Sequence, residues 1–247
     1  MTEYIIGVDL GGTRLRAARF DDDLKMLARN EVFTLSEQGV EATIGRIKAL
    51  IHEMKAEYPI AGIGVSVPGP MNPYTGVVVA PPNLHGWHDV ALRQILLDEF
   101  GVPVYLGNDA NVAALAEVVL GAAQGYRHAI FITVSTGIGS GIIIDRQMLL
   151  GREGLGAEVG HIVMIVDDRV SSLENEAAGP ALAKQAQVRI GAGEPSQILD
   201  MVDGDLSRIT GAAVGNAAQA GDPLARSIIQ RAGRIIGYGV VSLLHLF

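Results

Sequence analysis

A turn of small residues set between two apolar strands occurs twice in this chain, and that repetition constrains the fold more than any other feature. Ile5-Ile6-Gly7-Val8 enters Asp9-Leu10-Gly11-Gly12-Thr13, and a second apolar stretch, Leu15 to Phe20, follows. Further on, Ile130 to Val134 enters Ser135-Thr136-Gly137-Ile138-Gly139-Ser140-Gly141, and apolar residues follow to Ile144. Val8-Asp9-Leu10-Gly11 slides onto Val134-Ser135-Thr136-Gly137. Short apolar runs that end at glycine turns read as buried strands. The repetition predicts an internal duplication, with one β-hairpin of the same kind in each half.

The rest of the chain alternates strands with helices. Leu27 to Phe33 reads as a third strand, after a solvated turn over Arg19 to Asp23. Val40, Ile44, Ile47, Leu50, Ile51 and Met54 fall at steps of three and four, one apolar helical stripe, and Pro59 stops it. Ile60 to Val67 is a strand that ends at Pro68-Gly69-Pro70. A helix from about Asp89 to Phe100 leads to a strand from Pro103 to Leu106. After Ser172 the pattern turns helical. Pro223 opens a last helix with Leu224, Ile228, Ile235, Ile236, Val240 and Leu244 on one face. Such alternation predicts an α/β protein, divided near Gly107 into domains 1–107 and 108–247. Apolar residues at 49% and charged residues at 19% supply a core and exclude disorder. A net charge of −8 excludes a general nucleic-acid surface. No apolar run approaches the ~20 residues that span a bilayer. The absence of cysteine excludes disulfides and thiolate metal sites and predicts a cytoplasmic protein.

Both glycine turns suit phosphate. In the first, successive N–H groups of Gly11, Gly12 and Thr13 form an anion nest, the Thr13 hydroxyl adds a donor and Arg14 adds charge. Asp9, at the strand end, is placed to hold the water shell of Mg²⁺, an ion that keeps much of its hydration. An ordinary hairpin with an acidic edge would read the same way. In the second, Thr136, Gly137 and Gly139 offer a hydroxyl and close backbone approach. The turn lacks the Gly-Lys-Ser/Thr ending of a Walker loop and the helix of a dinucleotide-binding turn. Between the two lies Gly107-Asn108-Asp109-Ala110-Asn111. Asp109 suits a general base for a hydroxyl; equally, Asn108 or Asp109 would cap the helix that follows.

Asp-x-Gly-Gly-Thr near the start, Asn-Asp-Ala-Asn midway, and the second glycine turn followed by Gly156-Ala157-Glu158-Val159-Gly160-His161 together resemble the ROK family of sugar kinases and sugar-responsive repressors. The resemblance runs from residue 4 to the end. It implies an actin-like ATPase (ribonuclease H-like) fold of two α/β domains with a cleft between them. It also implies ATP and Mg²⁺ as nucleotide and metal, a homodimer, and transfer of phosphate to a hexose, glucose at its 6-hydroxyl foremost. Asp109 matches the family's base. Gly69, Asn83, Asn108, Asp109, Glu158, His161 and Glu174 match its sugar contacts, with Asn83 in the loop Pro82-Asn83-Leu84-His85-Gly86-Trp87. On the residues alone, Asn83 reads as a turn former and His161 as a structural histidine, like His52, His85, His88, His128 and His245.

The chain departs from the family pattern twice. Many members hold zinc with the Gly-His histidine and three cysteines; His161 is present and the cysteines are not, so no zinc is expected. The loop around Asp167 and Asp168 is shortened, reads as a solvated turn, and must be held by packing or hydrogen bonds. Members also continue past the final helix into a strand, a Gly-Gly-Gly loop on the adenine side and closing helices, whereas this chain stops at Leu244-His245-Leu246-Phe247. The acceptor side is therefore expected intact and the adenine side incomplete. The competing readings are a non-catalytic sugar-binding regulator, a degenerate kinase, and a different ATPase on the same broad fold.

Overall fold

The computed structural model describes residues 3–247. By contacts the chain forms two compact units. One holds the chain up to Gln124, with Met148–Gly156 returned to it; the other holds Gly125–Gln147 and Ala157–Phe247. The division falls after Gln124 rather than after Gly107, because the helix that follows Gly107 packs on the strands of the first unit.

The first unit is built on strands β1 (Tyr4–Leu10), β2 (Arg14–Phe20), β3 (Met26–Phe33), β4 (Ile60–Val67) and β7 (Val104–Asn108), in the order β3-β2-β1-β4-β7. The first three are antiparallel, while β4 and β7 run parallel to β1. Helix α1 (Val40–Lys55) supplies the parallel return to β4, and α2 (Leu92–Phe100) the return to β7. Alternation along each strand sorts the two faces. Ile6, Val8 and Leu10 join Leu15, Ile63, Val65 and Val67 in a core with Ile47, Ile51, Leu92 and Leu96. The alternate positions form a polar row across all five strands in register: Glu31, Arg16, Asp9, Ser66 and Gly107. Helix α3 (Asp109–Val119) follows β7 directly.

Two departures from the expected elements have local causes. The short strands β5 (Met71–Asn72) and β6 (Val77–Val78) pair with each other, and Val78 also bridges Val90. That bridge, with Asp89 at φ +49°, delays α2 to Leu92. Arg19 is not part of a solvated turn: it lies in β2, donates to the Met54 carbonyl at 3.1 Å and stacks over Tyr58. The turn proper is the Asp21–Asp23 stretch, where Asp21 accepts from the amides of Asp23 and Lys25.

The second unit opens with β8 (Ala129–Val134), antiparallel β9 (Ile138–Ile144) and the short β10 (Gln147–Met148), in the order β10-β9-β8. Its opening strands thus repeat the β3-β2-β1 order. The hairpin β11 (Val163–Val166) and β12 (Arg169–Ser172) turns on Asp167 and Asp168, both with φ above +50°, the backbone of a two-residue hairpin turn. Helices α4 (Leu173–Ala177), α5 (Gly179–Gly191), α6 (Ile198–Met201), α7 (Gly211–Ala220) and α8 (Pro223–Leu246) follow. Ala186, Ile190, Ile198, Val214, Leu224 and Ile228 form the core shared by α5 to α8. Buried Asp222 caps α8, accepting from Ala225 N and Gln197 N, each at 2.7 Å. The buried stripe of α8 ends on Leu243, and Leu244 faces solvent, because the run Ile228, Ala232, Ile235, Gly239 advances in whole helical turns. No helix among the described residues is long and apolar enough to cross a membrane.

Three antiparallel strands followed by two parallel ones reached through helices is the strand plan of the ribonuclease H-like fold, to which actin-like ATPases belong.

Candidate active site

The first glycine turn is closed by Gly11 N donating to Arg14 O at 2.9 Å. Its carbonyls are tied down by one buried residue: Thr34 Oγ1 donates to Gly11 O at 2.6 Å, and Thr34 N donates to Thr13 O at 2.9 Å. The Gly12 and Thr13 amides make no hydrogen bond among the described residues. The Gly11 amide is thus spent inside the turn and is not the anion donor expected of it, which leaves the two successive amides of Gly12 and Thr13 unused. Asp9 is not free at the strand end. Its Oδ2 accepts from Arg16 Nη1 at 2.8 Å, and Arg16 Nε reaches Glu31 at 3.1 Å. Hydrogen bonds to Asp9 first, then Glu31, raise Arg16 above the ordinary arginine value. Arg14 is likewise engaged, with Glu31 at 2.9 Å and over the Phe33 ring.

Four expected sugar contacts lie in the same unit. A Cβ on Gly12 would meet Asn83 Cβ at 2.8 Å and Asn83 O at 2.9 Å, so the loop of Asn83 rests directly on the first glycine turn. That loop is anchored by buried Leu84 and Trp87, while Asn83 itself is exposed. A Cβ on Gly69 would lie 3.0 Å from Asn108 Nδ2. Asn108 caps α3, its Oδ1 accepting from Ala110 N at 3.0 Å. Asp109 is the first helical residue and is exposed. Its Oδ1 also accepts from Ala110 N, at 2.8 Å, and its Oδ2 has no hydrogen bond among the described residues. Gly69, Asn108 and Asp109 thus form one group and Gly12 and Asn83 another.

In the second unit, Glu174 braces the second glycine turn. Its Oε2 accepts from Ile138 N at 2.7 Å, and a Cβ on Gly137 would lie 2.6 Å from that oxygen. A Cβ on Gly160 would lie 3.2 Å from it, so the Glu158–His161 segment touches the same point. Val159–His161 is a single 3₁₀ turn, in which residues three apart eclipse. Glu158 caps that turn, its carbonyl accepting from His161 N at 3.1 Å, and Glu158 and His161 are both exposed. Thr136 is exposed at the tip. Beside it opens a cavity of about 870 Å³ lined by Thr136, Glu174, Asn175, Pro180, Lys184 and Gln185 among others. Among the described residues, no three His, Asp or Glu side chains stand close enough together to hold a metal ion.

Several of these groups escaped the sequence reading. Arg16 was readable: a hairpin that pairs Leu10 with Leu15 also pairs Asp9 with Arg16. Thr34, the α5 face with Lys184, and the bond from Glu174 to the Ile138 amide join residues far apart in the chain, and no local pattern announces them.

The comparisons agree with this architecture. Residues 5–247 match the model of the ROK family. The chain is 32% identical to a glucokinase of Thermotoga maritima, over 98% of this chain and 78% of that relative. Among solved structures, a ROK family glucokinase from Streptomyces griseus, in complex with glucose and AMPPNP, is similar at a TM-score of 0.79 and 32% identity, covering 99% of this chain and 80% of that one. A ROK family transcriptional regulator, a homologue of the E. coli MLC protein, reaches a TM-score of 0.84 at 28% identity, over 99% of this chain and 63% of its own. With a matching family model over nearly its whole length, this chain belongs to the ROK family.

Proposed function

We propose that the chain is an ATP-dependent hexose kinase that phosphorylates the 6-hydroxyl of a hexose, glucose foremost, with Asp109 as the base. The observation that carries this reading is at the junction of β7 and α3. Asn108 caps the helix, so Asp109 is not needed for that task and keeps one carboxylate oxygen unused. The similarity to glucokinases, one of them solved with glucose and AMPPNP, supports the same substrate pair.

The residues fit a nucleotide and Mg²⁺. In the first unit the unbonded Gly12 and Thr13 amides suit phosphate oxygens; in the second, the Thr136 hydroxyl and the cavity at Lys184 suit a nucleotide. Gly137 and Gly139 let the second turn approach it closely. Asp9 suits an ion bound through water once Arg16 yields its oxygen. Bound ATP would supply the phosphoryl group and Mg²⁺ the neutralising charge. The chain's own part is to orient the sugar and hold a proton. Asn83, Asn108, Glu158, His161 and Glu174 bond sugar hydroxyls in this reading, beside the backbone at Gly69. Asp109 Oδ2 takes the proton of the attacking hydroxyl. The reading includes action in the cytoplasm as a homodimer, which equilibrium sedimentation checks.

The test is sugar-dependent ADP release from Mg-ATP across a panel of hexoses. Asp109→Asn is expected to lower kcat by about 10² to 10⁴, the usual worth of a general base, with hexose binding retained. Equal turnover in both proteins removes Asp109 from this role. The likeness to a ROK regulator favours a second reading, a sugar-binding protein without turnover. Calorimetric hexose binding with no ADP release selects it.

A further inference from the structure

Helix α4 has only five residues, Leu173–Ala177, too few to hold a helix in water without tertiary support. It nevertheless carries Glu174, whose carboxylate holds the Ile138 amide of the second glycine turn. Two buried anchors flank Glu174. Leu173 is buried and its N–H donates to Ile162 O at 3.0 Å. Glu176, 1% exposed, is the other. Its Oε1 accepts from Ser171 Oγ and pairs with Arg169, both at 2.6 Å. Its Oε2 accepts from Arg231 Nη2 of α8 at 2.8 Å, and that nitrogen also reaches Asp167 Oδ2 at 2.7 Å. Asp167, Arg169 and Ser171 all belong to the β11–β12 hairpin, so one carboxylate ties hairpin, α4 and α8 together.

We propose that Glu176 and Arg231 are positioning residues for the second glycine turn. By fixing α4 between α8 and the β11–β12 hairpin, they hold Glu174 on the Ile138 amide and so set the conformation of Ser135-Thr136-Gly137. Leu173 and Glu176 are three apart and face inward together, which leaves Glu174 directed at the turn. Neither Glu176 nor Arg231 need touch a substrate. Their effect on nucleotide handling rests on the kinase reading; their effect on the Ile138 amide does not.

Amide hydrogen exchange with kinetics tests this. In Glu176→Gln, exchange at Ile138 and through β11–β12 is expected to rise by about tenfold or more, while α7 keeps its protection. On the kinase reading the KM values for ATP and for hexose are both expected to rise, since Glu174 braces the turn and also contacts the sugar. The double variant Glu176→Gln/Arg231→Gln, which removes both charges, is expected to recover part of the protection, because no unpaired charge remains buried. Unchanged Ile138 exchange overturns the proposal. So does a uniform rise across the second unit, which would make Glu176 a general stabiliser. Should Glu176→Gln not fold, Arg169→Gln with Asp167→Asn removes the two exposed partners and must show the same Ile138 pattern at smaller amplitude; Ile138 exchange left unchanged in that variant equally overturns the proposal. A wild type that turns over no hexose removes the kinase reading and leaves the exchange result standing.

Discussion

The two glycine turns share a strand–turn–strand frame but are braced by different groups. The first is held by its carbonyls: buried Thr34 bonds Gly11 O and Thr13 O, and the N–H groups of Gly12 and Thr13 are left unused. The second is held at both kinds of group: the Glu174 carboxylate takes the Ile138 N–H, and Ser135 O accepts from Gly179 N at the start of α5. A repeated frame therefore does not repeat its electrostatics. The first turn presents donors, with Arg14 and Arg16 balanced by Glu31 and Asp9. The second carries a half-buried carboxylate whose place depends on the ionic cluster around buried Glu176.

Acid should separate the two units most strongly. Burial pushes the Glu176 carboxyl up, but hydrogen bonds from Ser171, Arg231 and Arg169 outweigh it and hold the group below its ordinary value. Burial likewise opposes, and the amides of Ala225 and Gln197 outweigh it, at Asp222. A carboxyl lowered in the folded state adds stability that is present above its unfolded pKa and lost as pH falls through the folded value. With unfolded values near ~4, amides of α4 and α8 should lose exchange protection below about that pH, before those of β1 and β4. Simultaneous loss in both units would break the contrast.

Adding a methyl group to each turn should differ next. The Cβ of Gly12→Ala would meet Asn83 backbone and Cβ, neither of which can swing away. A cost of about 1–3 kcal/mol is expected for such overpacking, which for a chain of this size lowers Tm by several degrees. In Gly137→Ala the Cβ meets the end of the Glu174 side chain. That carboxylate can move, so the fold should lose less while the Ile138 amide loses its partner. Calorimetry and exchange on the two variants read both effects.

Removing the braces themselves should also separate the turns, with the smallest effect at Thr34. Thr34→Val removes one hydrogen bond and leaves the Gly11 carbonyl without it, worth about 1 kcal/mol. Glu174→Ala leaves the Ile138 N–H unpaired, at about 1–3 kcal/mol. Thermal unfolding should rank Glu174→Ala as the costlier; the reverse order would mean that the first turn depends more on its brace than the second.

Much of this was legible in the chain. The apolar runs at Ile5, Leu15 and Ile60 became central strands, and the stripe from Ile47 to Met54 became the buried face of α1. The motif residues fell into tight local groups, Gly12 with Asn83 and Gly69 with Asn108. The start of α2, the strand placement of Arg19 and the last buried residue of α8 were not legible, since each depends on a contact with another element.

The sequence by itself determined the alternation of strands and helices, the repeated hairpin and the residue types at both turns, because period and turn chemistry act over a few neighbouring residues. It also left Asp109 divided between cap and base. Tertiary structure decided which residue caps α3, which partner holds Asp9, and what fixes α4 where a cysteine motif is absent. Those are outcomes of distance between segments remote in the chain, and hydrogen bonds and ion pairs act only over a few ångströms. No local pattern encodes that Arg231 meets Glu176 across 55 positions.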